Sequence, residues 1–210
     1  HTDYIISVIS EEFGVVAIIL ILLLFLIFIY MVFKKVSFET DVKSSSDPTF
    51  LISVNKSLAP LGAERFYELV NDGFYDNSAF FRVVPKFVVQ FGISGNKTEN
   101  DKWLHKVIKD DPVIGSNTEG TITFATAGPN TRTSQVFINY KDNSRLDNMG
   151  FAPFGIVVSG FSVAMKIFNP TPNSSNGVSQ DLYEKNGNEW IKKNYPGINF
   201  ITKATIMQKD

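Results

Sequence analysis

The chain has 210 residues, 44% hydrophobic and 20% charged, which is room for one globular domain and an accessory segment. Its 20 Lys+Arg stand against 21 Asp+Glu, and beyond residue 36 the balance is 18 against 18, so no basic surface points to nucleic acid. No cysteine and only two histidines, His1 and His105, are present, which excludes disulfides, thiolate chemistry, the usual zinc sites and a Ser-His-Asp relay.

Taken in order, the first element is an uncharged run from Val15 to Phe33, VVAIILILLLFLIFIYMVF, closed by Lys34 and Lys35. Roughly 20 apolar residues are what a helix needs to cross ~30 Å of hydrocarbon. The run has no polar stripe, and an acidic flank precedes it, so it reads as a single transmembrane helix instead of a core helix or a signal peptide. The two lysines after it favour a cytoplasmic position for the chain beyond them. The expected division is residues 1–36 as membrane segment with short flanks and 37–210 as the folded domain.

After Lys35 the texture changes to short alternating stretches. VSFETDV (36–42) and TFLISV (49–54) read as partner strands separated by the turn cluster KSSSDP. A helix is expected within 59–73, where Ala63, Phe66, Leu69 and Val70 follow helical spacing and Gly73 is a natural stop. FFRVV, FVVQFG, TITFATA, QVFINY and FGIVV read as further strands, with a second short helix over 161–168 and a last strand over 198–207. The connection 94–120 shows little regular pattern, and 169–187, rich in Asn, Ser, Pro and Gly, reads as a surface loop. Many short strands with two helices predict a closed or nearly closed antiparallel barrel.

No nucleophile elbow and no phosphate-cradling Gly-Lys loop appear, and His105 reads as a loop side chain. An enzyme built from this chain therefore works without a metal, a covalent nucleophile or a histidine base. Strand alternation then separates two sets of residues. Val89, Phe91, Val136 and Ile138 share the face that fills the barrel, which turns Gln90 and Gln135 outward beside Val88 and Phe137. Such a face is either a shallow apolar pocket with a few placed hydrogen-bond donors or a half-exposed surface with satisfied glutamines.

Three long stretches carry a family resemblance. FFRVVPKFVVQFG (80–92) resembles the cyclophilin segment F-H-R-x-I/V-P-x-F-M-x-Q-x-G. GTITFATAGPNTRTSQVFI (120–138) and RLDNMGFAPFGIVVSG (145–160) resemble that family's second and third signatures, in the expected order. The resemblance covers roughly residues 36–210 and implies a mainly β, closed eight-stranded antiparallel cyclophilin-like barrel with two helices. It also implies peptidyl-prolyl cis-trans isomerase activity on proline-containing polypeptides during protein folding, with no cofactor. Carried over position by position, Arg82 is the catalytic arginine that stabilises the twisted amide, and Gln90 hydrogen-bonds the substrate and helps hold Arg82. Phe87, Val88, Phe137 and Leu146 wall the proline pocket. Ala125, Thr126 and Ala127 line the strand where the peptide docks, and Gln135 closes the neighbouring subsite. The family's histidine before the arginine is Phe81 here, and its tryptophan before the Leu-Asp pair is Arg145, which implies weak cyclosporin binding. The histidine after that pair has no counterpart, because GFAPFG is one residue longer. These losses leave a second reading, a proline-peptide binding module or holdase on the same fold with weak or no isomerase activity.

The N-terminal stretch HTDYIISVISEEFGVV (1–16) resembles a different family. It is similar to a late transmembrane segment and the loop before it in the SEDS peptidoglycan glycosyltransferases. That resemblance covers residues 1–36 and lacks the family's other spans, so glycosyl transfer by this chain is not expected. A third reading, a structural fragment of a cell-wall synthesis protein, rests on this segment alone.

Overall fold

The computed structural model describes residues 16, 18–24, 33–42 and 48–207. Among them, nine strands form one antiparallel sheet: β1 (Phe33–Thr40), β2 (Thr49–Asn55), β3 (Ser78–Ala79), β4 (Arg82–Val84), β5 (Val88–Phe91), β6 (Thr121–Phe124), β7 (Val136–Asn139), β8 (Pro153–Ser159) and β9 (Phe200–Met207). Their order across the sheet is β3-β9-β1-β2-β8-β6-β7-β5-β4. Among the described residues beyond 33 the helices are α1 (Pro60–Asn71), α2 (Lys97–Leu104), α3 (Phe161–Ala164) and α4 (Gln180–Asn194), with a 3-10 turn over Ser144–Met149.

The sheet curls into a half-barrel, and the expectation of a closed eight-stranded barrel is corrected on two points. The ninth strand is β3, two residues long, which pairs Ser78 with Ile201 and Ala79 with Phe200. It is too short to leave a periodic signal. The edge strands β3 and β4 are joined by Phe80 and Phe81 in the chain, not by a ladder. The main-chain groups there go elsewhere: the Phe80 N–H donates to the Asn199 carbonyl at 3.0 Å, and the Phe81 carbonyl accepts from Val178 N–H at 3.0 Å. A segment outside the sheet thus covers the edge that a closing strand would have used.

The concave side holds the main core. Phe38, Phe50, Phe66, Tyr75, Phe91 and Phe154 are all essentially buried there, with Phe66 and Phe154 ring centroids 4.9 Å apart. Helix α1 closes this side with Ala63, Phe66, Leu69 and Val70, the residues its periodicity selects. Asp111 secures the start of α1, accepting from Leu61 N–H at 3.0 Å and Gly62 N–H at 2.8 Å, where a carboxylate also meets the positive end of the helix dipole. The same carboxylate accepts from Arg132 Nη1 at 3.1 Å.

Two segments expected to be irregular contain helices. Helix α2 lies within 94–120, capped by the Asn96 side chain, which accepts from Thr98 N–H. Only Trp103 of α2 is buried, so the segment carries no apolar period to read. Helix α4 begins inside 169–187. It bends at Gly187, whose φ of 63° is open to glycine and costly for other residues. A Cβ there would sit 2.4 Å from the Gly95 carbonyl oxygen. Under α4 lies a second core of Ala79, Phe81, Ile93, Val178, Tyr183, Ile191, Ile198 and Phe200.

Among the described residues no helix is long and apolar enough to cross a membrane. Most of the run 15–33 lies outside the described residues, and its last residue, Phe33, is the first of β1.

Candidate active site

The site grows from the hairpin of β4 and β5. The turn between them is closed by a Phe87 N–H to Val84 carbonyl bond of 3.0 Å, with Lys86 at φ 60°. Its register sets Arg82 opposite Gln90 and Val84 opposite Val88. The next pairing sets Gln90 opposite Phe137, and the one after sets Phe137 opposite Thr123. Directly opposed residues share a face, so Arg82, Gln90, Phe137 and Thr123 form one row on the convex side. The outward face expected from alternation is therefore real, but it is not wet. Val88 is 1%, Phe137 5% and Gln90 7% exposed.

The apolar part of this face is a cluster of Val88, Phe137 and Leu146, with Phe87, Ala125 and Phe151 packed against it. Leu146 comes from the 3-10 turn, and Phe151 stands edge-on to Phe137 with ring centroids 5.7 Å apart. Phe151 was not among the expected site residues. It sits in the lengthened GFAPFG stretch, and an aromatic residue in a loop was the only signal. Phe87 carries two cations: the Arg145 guanidinium lies 4.8 Å and that of Arg82 5.8 Å from its ring centroid. Arg145 thus takes up an aromatic face at the pocket edge, a role for which its charge suits it.

A buried polar net supports the pocket from beneath. Asn117, fully buried, donates through Nδ2 to Asp147 Oδ1 at 2.7 Å and to the Phe151 carbonyl at 2.8 Å. Its Oδ1 accepts from Thr123 Oγ1 at 2.8 Å. Asn143 donates to the Phe87 carbonyl at 2.9 Å and to Asn139 Oδ1 at 2.8 Å. Desolvation pushes the Asp147 carboxyl up, but hydrogen bonds from Ser116 and Asn117 outweigh it and hold the group below the usual carboxylate range. The walls Phe87, Leu146 and Phe151 are thereby pinned to one another through residues of three loops.

The polar part is a chain of side chains. Arg82 Nη1 donates to Gln90 Oε1 at 2.9 Å, Gln90 Nε2 to Gln135 Oε1 at 2.9 Å, and Gln135 Nε2 to Gln180 Oε1 at 3.0 Å. Arg82 Nε donates to the Ser175 carbonyl at 2.7 Å. Its Nη2 has no hydrogen-bond partner among the described residues. Half-burial lowers the pKa of Arg82 from the ordinary guanidinium value, and such a group still stays charged. Gln180 and Ser175 were missed because they lie in the segment read as a loop, about ninety residues from Arg82.

Of the expected residues, Arg82, Gln90 and Gln135 are joined by hydrogen bonds, and Phe87, Val88, Phe137, Leu146 and Ala125 form one cluster. Thr126 and Ala127 lie in the following turn instead. Thr126 Oγ1 is 2.9 Å from Thr131 Oγ1, which accepts from Ala127 N–H at 3.0 Å. That turn is anchored from behind by Arg132, the partner of Asp110 and Asp111. His105 ends α2 on the exposed surface.

A curled antiparallel sheet carrying a guanidinium and a glutamine in one row, a second glutamine bonded to the first and an apolar pocket beside them defines the class. The chain belongs to the cyclophilin type peptidyl-prolyl cis-trans isomerase/CLD family, whose model matches residues 36–187, and is by family a peptidyl-prolyl cis-trans isomerase. A peptidyl-prolyl cis-trans isomerase of Acinetobacter baylyi is 37% identical over 138 residues, which cover 62% of this chain and 72% of that protein. Peptidyl-prolyl cis-trans isomerase A of Dickeya dadantii is 38% identical over 122 residues, 55% of this chain and 64% of that protein. The fold is shared with the crystal structure of a cyclophilin type peptidyl-prolyl cis-trans isomerase of Cryptosporidium parvum. That likeness has a TM-score of 0.63 at 20% identity and covers 85% of this chain and 99% of that one. A second crystal structure of that protein was determined in the presence of the dipeptide Ala-Pro, with a TM-score of 0.61. A separate family model, described as Cell cycle protein, matches residues 1–47, most of which lie outside the described residues.

Proposed function

We propose that this chain accelerates rotation about X-Pro bonds, with Arg82 as the residue that lowers the barrier. The obstacle is the partial double bond of the amide, ~18–20 kcal/mol, which makes the uncatalysed reaction take tens to hundreds of seconds. Nothing covalent breaks, so neither a nucleophile nor a metal is required. The planar amide delocalises the prolyl nitrogen lone pair into the carbonyl; the twisted state localises it on nitrogen. A cationic donor beside that nitrogen binds the twisted state better than the planar one, which is differential transition-state binding.

The observation that carries this reading is the free donor of Arg82. Two of its nitrogens are held by Gln90 and Ser175, while Nη2 has no protein partner among the described residues beside a pocket walled by Phe87, Val88, Phe137 and Leu146. A proline ring fits the chemistry of those walls, and Gln90 retains an amide proton for the substrate carbonyl. Ala125, Thr126 and Ala127 offer main chain for the residues before proline, and Gln135 borders the next subsite. The Ala-Pro dipeptide present with the Cryptosporidium parvum protein suits such a pocket. Arg145 in place of tryptophan leaves cyclosporin weakly held.

The test is an exchange NMR or protease-coupled assay on a Suc-Ala-X-Pro-Phe peptide. The full chain is expected to accelerate exchange, and Arg82→Ala to lower kcat/KM by about 100-fold or more, the scale of losing a preorganised transition-state donor. Activity that survives this substitution defeats the mechanism. A wild-type rate no faster than the uncatalysed one favours the binding-module reading instead.

We also read the N-terminal run as a membrane tether with the isomerase domain on the cytoplasmic side. Residues 18–24 are helical, and Ile19 to Leu24 are each at least 50% exposed, a run of apolar surface. Co-sedimentation of the full chain with liposomes, abolished on removal of residues 1–32, is the expected result; a chain that stays in the supernatant contradicts it.

A further inference from the structure

The connection from α3 to α4 and the start of α4 lie against the Arg82 side of the site and make three contacts there. Val178 N–H donates to the Phe81 carbonyl at 3.0 Å, the Ser175 carbonyl accepts from Arg82 Nε at 2.7 Å, and Gln180 Oε1 accepts from Gln135 Nε2 at 3.0 Å. Gly177 makes so close an approach possible. It has φ 76°, and a Cβ there would sit 2.6 Å from Arg82 Cβ and 2.7 Å from the Phe81 carbonyl oxygen.

The polar chain has a direction. A guanidinium has donors and no acceptor, so Arg82 requires the oxygen of Gln90 to face it. The amide nitrogen of Gln90 must then face the oxygen of Gln135, and the nitrogen of Gln135 needs an acceptor beyond. Gln180, in the first turn of α4, supplies it. The terminal torsion of a glutamine is broad and two-fold, so each amide turns over easily when only one end is held. Arg82 orients the chain at one end and Gln180 at the other. Without the acceptor at the far end, Gln135 can invert and set its nitrogen against that of Gln90, two donors facing each other. Gln90 is then drawn away from the guanidinium.

We propose that Gln180 is a positioning residue for the isomerisation: it holds the amides of Gln135 and Gln90, and through them the Arg82 guanidinium, in the orientation the reaction uses, while the Ser175 carbonyl fixes the other side of the guanidinium. This rests on the reading of Arg82 as catalytic. It makes the α3–α4 connection part of the active site.

The test compares Gln180→Met, which keeps length and loses the acceptor, with Gln180→Glu, which keeps the acceptor. Both are made in the full chain and assayed on the same proline peptide. Gln180→Met is expected to lower kcat/KM about fivefold through kcat, with KM and Tm close to wild type, the scale of one neutral hydrogen bond. Gln180→Glu is expected to stay within about twofold of wild type. In 15N-labelled protein the side-chain amide resonances of Gln90 and Gln135 should shift or broaden in Gln180→Met and stay in place in Gln180→Glu. Unchanged resonances, unchanged kcat/KM, or equal losses in the two variants overturn the assignment. Full activity in Arg82→Ala would defeat the catalytic reading alone, because the amide resonances still decide whether Gln180 orients the chain.

Discussion

Phe81 stands where the family signature carries histidine, and Phe81→His restores that residue at a site the structure makes hostile to it. Phe81 is fully buried in the apolar cluster with Val178, Tyr183, Ile191, Ile198 and Phe200. The hydroxyl in that cluster, Tyr183 Oη, is already engaged: it accepts from Ala79 N–H at 3.0 Å and donates to Asn188 Oδ1 at 3.1 Å. An imidazole placed there loses part of the ~1.5–3 kcal/mol that burying a phenylalanine contributes. It also leaves a buried donor and acceptor without partners, at about 1–3 kcal/mol. A total of about 3 kcal/mol is expected, which for a domain of this size lowers Tm by about 6–12 °C. The loss should also depend on pH. Burial disfavours the imidazolium, so the folded-state pKa of the new histidine lies below its unfolded value of ~6.5. Below that pH the unfolded chain binds more protons, and stability falls by up to about 1.4 kcal/mol per pH unit until the folded pKa is passed. Thermal scans of both proteins at pH 7.5 and 5.5 test this. A variant within about 2 °C of wild type at pH 7.5, or a gap that fails to widen at pH 5.5, refutes the argument that Phe81 sits in a dry, fully engaged cluster.

Two further outcomes rest on the same geometry. Gly177→Ala adds a methyl 2.6 Å from Arg82 Cβ at a left-handed backbone position, so it should cost about 2–4 kcal/mol and lower kcat/KM as the Ser175–Arg82 contact opens; thermal melting and the peptide assay read the two effects. The kcat/KM of the wild type should be flat from about pH 6 to 9, because Arg82, though lowered by half-burial, stays protonated throughout and the site has no histidine or cysteine. A pH–rate profile with an ionisation inside that window contradicts it.

The facing of several strand residues was readable residue by residue. Backbone alternation alone separated Val89, Phe91, Val136 and Ile138, which lie in the main core, from Val88, Gln90 and Phe137, which lie on the pocket face. The reading failed where a segment's order comes from distant partners. The stretch 169–187 shows no period because the apolar residues it buries, Val178 and Tyr183, are spaced by a loop and a broken helix. Likewise α2 buries a single tryptophan and shows no period.

What the sequence by itself determined is therefore local: the longer strands, a helix within 59–73, the family, and the facing of Val88, Gln90 and Phe137. These come from the two-residue period of an extended chain, from helical spacing and from long contiguous motifs, all of which are properties of neighbours in the chain. Only the tertiary structure decided that the barrel stays a half-barrel, that Phe151 completes the pocket wall, and that Ser175 and Gln180 reach Arg82 and Gln135. The physical reason is that these contacts join atoms tens of residues apart, and one buried surface settles them together. Phe81 belongs to both accounts. Its replacement of histidine was visible in the sequence, and the dry core beneath α4 that explains it was not.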